Sequence, residues 1–493
     1  MKTIAMRLRR LAAVVAVLVG VQCTAAAQEI DLTFGQQNNT LAKSFMHQLL
    51  GSDGQSVVYV KQKGLIASRE LVSYDMQQKE QAAVKLCKVK LNGSFDVNVE
   101  QAFVHGNEID LLMSDTRDNG LVVTHERRTM ATLELQGEAR TLANLSGTKD
   151  DGLFFFSAVS PNGKLLATAT AKVEAGIGAE VRVTLYNDKI EEYWSMEVPA
   201  HGFSDMMVSN DGEVVLVGMQ EKDGRGTVQV TVADGEKSDY QSFGYKTNGV
   251  LKEWAPAFYK DGRVVLVAAM QSDYKTLMRV GPNIDCIDAV SCQMASGEVT
   301  VDRHSFGEAE LARMENKKGN TTGYRWMEMG NLQQVIGDEE GAFAVVDNQW
   351  DTYNQNGWLS RERRGMMVLR IGADGHFKWV RTERTYTYAH ANSRDIIRYR
   401  WLPTEEGIML AWTTNSKDLG KGDDEKVKGS KLYIGSSELT VMTLDREGQT
   451  KKANFSLDGL ALHLFPTPLG KGEWLLLAPG KTKGKFGKLR LET

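Results

Sequence analysis

A chain of 493 residues with a formal charge of −4 lacks the basic footprint that nucleic acid or an anionic membrane surface attracts. Residues 1–27 carry four cations and no anion, so the charge without them is −8 and the exclusion strengthens. Eight prolines and the absence of a Pro- or Ser-rich linker give no sign of a chain cut into separate domains.

In chain order, Lys2, Arg7, Arg9 and Arg10 make a basic start, followed by an apolar run of 11 residues over 11–21. Ala25, Ala26 and Ala27 then offer the small residues that a signal peptidase accepts. The run is too short for a bilayer, which needs about 20 residues. Residues 1–27 are therefore expected to be a signal peptide cleaved before Gln28, delivering the protein to the bacterial periplasm, the cell surface or the medium. Cys23 does not read as a lipid anchor, because Gln22 stands where lipoprotein signals carry a small residue. No later segment is apolar enough to span a membrane. Residues 28–493 are expected to form a single domain.

After a lone strand, EIDLTFG, one pattern recurs: a strand, a tight turn ending in Gly, and a markedly apolar strand. Its clearest copies are SPNGKLLATAT, SNDGEVVLVGM and YKDGRVVLVAA. Asn-Gly and Asp-Gly fit two-residue type I′ hairpins, whose central residues both need positive φ. The turn glycines are Gly54, Gly106, Gly163, Gly212, Gly262, Gly341, Gly407 and Gly472. They lie about 50 residues apart as far as Gly262 and farther apart beyond it, the period of a four-stranded blade lengthened by insertions. Third and fourth strands follow each turn, as in VRVTLYN and EYWSMEV. Only 306–316 has helical periodicity.

The fold class predicted is all-β: a β-propeller of four-stranded antiparallel blades. Eight glycines give eight blades, or seven if Phe45 to Leu50 is a helical turn rather than strand. The last unit, ending in KLRLET, holds three strands. EIDLTFG would complete it, closing the ring and removing the free sheet edges. Sandwich domains would show periods near 100 and linkers, and neither is present.

The SPNGKLLAT and NDGEVVLV segments resemble the repeats of WD40-like, TolB-like and quinoprotein-like propellers over nearly the whole mature chain. That resemblance implies an architecture, because the motif is turn chemistry plus a buried strand and carries no activity.

Chemical motifs are sparse. The eight histidines share no metal-ligand spacing, and neither H-E-x-x-H nor G-x-S-x-G occurs. The acidic loops at Asp115–Gly120 and 418–425 lack the alternating spacing of a calcium loop. Gly480-Lys481-Thr482 lacks the upstream glycine of a phosphate loop. A Gly-x-x-x-Trp blade signature does not recur, and Trp194, Trp379 and Trp474 read as different strand positions, so no quinone is expected. No metal or other cofactor is expected either. Cys286 and Cys292, six residues apart in what reads as a third-to-fourth loop, point to a local disulfide, and Cys87 to a buried thiol.

Propeller geometry places the second-to-third loops and the connections between blades on one face, and the tight turns on the other. Insertions are expected at 281–328, 348–365 and 414–437, with a further between-blade connection at 383–393. The 348–365 segment carries Trp350, Tyr353 and Trp358 beside Arg361, Arg363 and Arg364, and the next connection carries Tyr386, Tyr388 and His390. Aromatic side chains among Asn, Gln and Arg suit contact with a protein or a glycan. The same aromatics could equally do no more than pin long loops to the rim. The leading expectation is a binding or scaffold protein of the bacterial envelope, working alone or inside a larger assembly. The alternative is a glycan hydrolase or lyase with Asp351, Glu362 and Asp395 converging on the channel.

Overall fold

The computed structural model describes residues 29–492 apart from 35–43, 89–96, 272–283, 314–329, 391–399, 422–429 and shorter stretches in other connections. The signal-peptide reading of residues 1–27 lies outside the described residues. The strands form eight sheets, seven of four strands and one of five. They are the blades of a propeller: 44–88, 97–146, 152–200, 203–246, 250–305, 330–390, 400–456, and an eighth made of 463–492 with the N-terminal strand. The alternative of seven blades falls, because Ser44–Ser52 is strand rather than helix. Ring closure is as expected: Glu29–Phe34 runs antiparallel to Gly484–Glu492, with Ile30 opposite Leu491 and Leu32 opposite Leu489.

The apolar strand after each glycine is the second strand of its blade, and its composition follows from where it lies. A blade is covered on both faces by its neighbours, so neither side of this strand can be polar. In blade 5, Val265, Val267 and Ala269 pack toward blade 6, while Val264 and Leu266 pack toward blade 4. In blade 6, Ala342, Ala344 and Val346 face blade 5, and Phe343 and Val345 face blade 7. The core is thus a ring of interblade layers rather than one central mass.

The turns differ from expectation in one respect. Asp261 and Gly262 both have positive φ, at 51° and 71°, and form the two-residue hairpin expected. In blades 3 and 4 only Gly163 and Gly212 are left-handed, and the connections are longer. There Ser160 and Ser209 begin the loop, and each hydroxyl accepts backbone N–H groups from across it. A serine able to satisfy the loop's own donors lets the turn lengthen without leaving orphaned amides.

The disulfide expectation is overturned. Cys286–Gln293 is the third strand of blade 5, and both cysteines are free and buried. Six residues of strand separate them by roughly 20 Å, whereas a disulfide needs Cβ atoms about 3.8 Å apart. The expected insertion at 281–328 therefore includes two regular strands, the second being Glu298–Ser305. Burial pushes the Cys286 thiol up to about 12 and the Cys292 thiol up to about 11. Protonated, buried thiols are poor nucleophiles. Ellman's reagent is expected to leave both unmodified in the native protein and to titrate them on unfolding, with no change in Tm on adding reductant.

Two tryptophans share a position that sequence reading kept apart. Trp194 and Trp379 are each the third residue of a fourth strand, Glu192–Ala200 and Phe377–His390. Each ring lies on a glycine of the next blade's third-to-fourth turn, Gly235 or Gly448. Trp379 also donates its indole N–H to the Arg446 carbonyl at 2.7 Å. The repeated tryptophan is an interblade clamp. Of the expected helix, Ala309, Glu310 and Arg313 are helical, and most of the rest lies outside the described residues.

Candidate functional site

The 348–365 segment is strand over 348–353 and 359–365, and 354–358 lie outside the described residues. The second and third strands of blade 6, Gly341–Tyr353 and Leu359–Gly372, stay paired from Asn348 and Arg364 out to Tyr353 and Leu359. The fourth strand, Phe377–His390, follows them outward, so the 383–393 connection is strand as far as His390. The result is a three-stranded ribbon continuing the blade beyond the first strand, whose pairing ends at Gly330 opposite Asn348. The 414–437 insertion of blade 7 reaches back to it. Ser430 and Lys431 pair in parallel with Thr387 and Tyr388, adding the fifth strand.

Backbone register sorts the nine candidate residues. Asn348, Arg364 and Tyr386 form one row across the ribbon, and Trp350, Glu362 and Tyr388 form the next on the same face. His390 follows, opposite Ser360. Arg361, Arg363 and Tyr353 occupy the alternate rows and so the other face. Trp358 lies outside the described residues. Of the acids in the enzyme alternative, Asp351 and Glu362 occupy rows on opposite faces of the ribbon, and Asp395 lies outside the described residues.

A second concavity lies in the throat of the ring, a cavity of about 550 Å³. Its wall comes from the first strands of blades 3 to 7, among them Val159, Met207, Trp254, Val335 and Ile336. Pro161, in a turn, and Pro403, at the end of its strand, also line it, which puts it toward the turn-bearing face and away from the ribbon. Asp205 is the acid in this wall. Burial holds its carboxyl above the usual range, partly offset by the Met206 N–H, which donates to it at 2.8 Å. Beside Trp254, Glu253 is likewise raised by burial, and its carboxylate accepts from the Leu332 N–H of blade 6. A buried ionised carboxylate favours the protonated folded form, so its cost to stability grows as pH rises through the folded pKa. Asp205→Asn is expected to stabilise the fold at pH 7 by on the order of 1 kcal/mol, with the gain shrinking in melts at progressively lower pH.

The throat residues were not singled out from sequence. They stand a few positions before each turn glycine, in five segments far apart along the chain. Counting back from the glycines would have gathered them. Among the described residues no three His, Cys, Asp or Glu side chains come together as a metal site, and no helix is long and apolar enough to cross a membrane.

No family model matches the chain, and neither does any curated protein. Solved structures do. The WD40 domain of SCAP from fission yeast aligns over 94% of this chain and 98% of its own, at 8% identity and a TM-score of 0.37. A Synechocystis apocarotenoid oxygenase aligns over 87% and 93%, at 7% identity and TM-score 0.38. The polysaccharide lyase Uly1 aligns over 91% and 99%, at 10% identity and TM-score 0.32. The strand order and register above establish the chain as an eight-bladed β-propeller.

Proposed function

We propose that this protein is an exported binding scaffold of the bacterial envelope that grips a protein partner through the blade 6 ribbon. What supports the reading is the ribbon's asymmetry. One edge is covered by Ser430 and Lys431 from blade 7, while among the described residues the backbone of 349–353 pairs only with the third strand. An open strand edge is a template for an extended peptide, whose main chain supplies affinity while neighbouring side chains select the sequence. Trp350 stands on that edge strand, Arg364, Tyr386 and Tyr388 share its face farther across the ribbon, and all are residue types that anchor interfaces. Export rests on the basic-apolar-small pattern of residues 1–27.

The test is capture from envelope extracts on immobilised full chain, with parallel extracts treated with protease or with glycosidases. Trp350→Ala/Trp358→Ala is expected to weaken capture by about 2 kcal/mol or more, roughly thirtyfold, with Tm nearly unchanged. Protease treatment should abolish capture. Undiminished capture by the double variant would overturn the ribbon, and survival of capture after proteolysis would replace the protein with a glycan.

A further inference from the structure

We infer that the throat is a binding site for a small organic cation, an ammonium group carried on an apolar body. The cavity, about 550 Å³, falls in the range of roughly 300–1,000 Å³ that suits small-molecule ligands. Among the described residues its lining side chains are apolar apart from Asp205 and include no Lys, Arg or His, while main-chain groups of the strand edges contribute polar surface. Asp205 forms no ion pair among the described residues; its one hydrogen bond there comes from the Met206 N–H. Two carboxylates buried within the blades are arranged differently. Asp110 takes a two-pronged guanidinium from Arg127, and Asp288 takes one from Arg303. A carboxylate left without a counter-charge, in a cavity whose other lining side chains are apolar, is complementary to a cation that brings its own apolar surface.

Trp254 adds a second and independent sign. The residue lines the cavity while its side chain packs against the layer between blades 4 and 5, and an indole face attracts a cation. Its N–H is buried and has no acceptor among the described residues. Buried donors are rarely left orphaned, and a ligand oxygen that reached this one would satisfy it. The adjacent Met206 and Met207, also in the wall, are flexible, polarizable side chains that adapt to apolar bodies of different shape. The site takes residues from five blades, so it exists only in the closed ring. It is also distinct from the ribbon, which projects from the opposite face.

The experiment is calorimetric titration of the full chain with three probes of equal length: hexylammonium, hexanol and hexanoate. Hexylammonium is expected to bind at one site per chain, more tightly than hexanol, with hexanoate not binding. Asp205→Asn should reduce hexylammonium affinity about tenfold or more and erase its advantage over hexanol. Trp254→Phe keeps the ring but removes the N–H, so it should retain hexylammonium binding while losing any gain seen with an amino alcohol of the same length. Circular dichroism and Tm establish that each variant is folded. Equal binding of hexylammonium and hexanol to the wild-type chain would overturn the proposal, as would several equivalent sites or an Asp205→Asn variant of unchanged affinity.

Discussion

Replacing Arg303 with alanine is expected to lower the stability of the propeller by about 3–5 kcal/mol, measured by equilibrium denaturation at neutral pH. The reason lies in blade 5, where Asp288 on the third strand is directly opposite Arg303 on the fourth. The carboxylate is fully buried, and Arg303 Nε and Nη2 each donate to it at 2.6 Å. Its other neighbour is the Tyr245 hydroxyl of blade 4, a long contact at 3.4 Å. Truncating Arg303 would leave a charge in the interblade layer with almost nothing to answer it. Arg303→Lys keeps the charge but loses the fork, and should fall between wild type and alanine. Removing both partners with apolar residues of similar volume should recover most of the loss, because the cost belongs to the orphaned charge rather than to the absence of a pair. An Arg303→Ala protein within about 0.5 kcal/mol of wild type would show that water or Tyr245 solvates Asp288 adequately.

Blade 2 holds the same device with a different consequence. Asp110 is opposite Arg127, and His125 Nε2 lies 2.6 Å from its Oδ1. Burial pushes the carboxyl up, but the hydrogen bonds from His125 and Arg127 outweigh it and hold the folded pKa below the ordinary range. The contribution of Asp110 to stability is thus present above the ordinary carboxylate range and is lost as pH falls through the lowered folded value.

What sequence could and could not reveal follows from the same geometry. Second strands are covered on both faces, so they read as mainly apolar runs, interrupted by single polar residues such as Asp110, and announce the blades. The turn glycines mark where those runs begin. Seven of the eight have positive φ. Gly407 does not, and is held to glycine instead by a carbonyl: a Cβ there would fall 2.1 Å from the Leu444 oxygen. The ribbon was illegible for the complementary reason. DNQWDTYNQNGWLSRERR shows no apolar period of two, so it resembles a loop. Strand Cys286–Gln293 misled because Asp288 breaks its apolar run, and the arginine that makes that aspartate tolerable lies fifteen residues farther along. The throat could not be read locally at all, since its wall is assembled only when blades 3 to 7 are brought round the ring.

Ring closure carries the second large effect. A chain lacking 29–34 is expected to lose about 3 kcal/mol or more and to aggregate at concentrations where the full chain stays monodisperse. Ile30 packs in the layer formed by Trp474, Leu489 and Leu491 with blade 7, so its loss leaves part of that layer open to water. The backbone of Gly484–Glu492, now paired only with Glu473–Pro479, would present a bare edge to other copies of itself. A synthetic peptide of sequence EIDLTF separates these terms. Added in excess, it should restore Tm and suppress aggregation by supplying both the pairing and the half-buried isoleucine, whereas a scrambled peptide should not. A variant peptide with Asp at the Ile30 position keeps most of the backbone pairing but cannot fill the layer. It should block aggregation yet restore little Tm, which would divide closure into its hydrogen-bonded part and its packed part. If the truncated chain melts like the full one, the ring is closed by contacts within 463–492 and the N-terminal strand is only a cover.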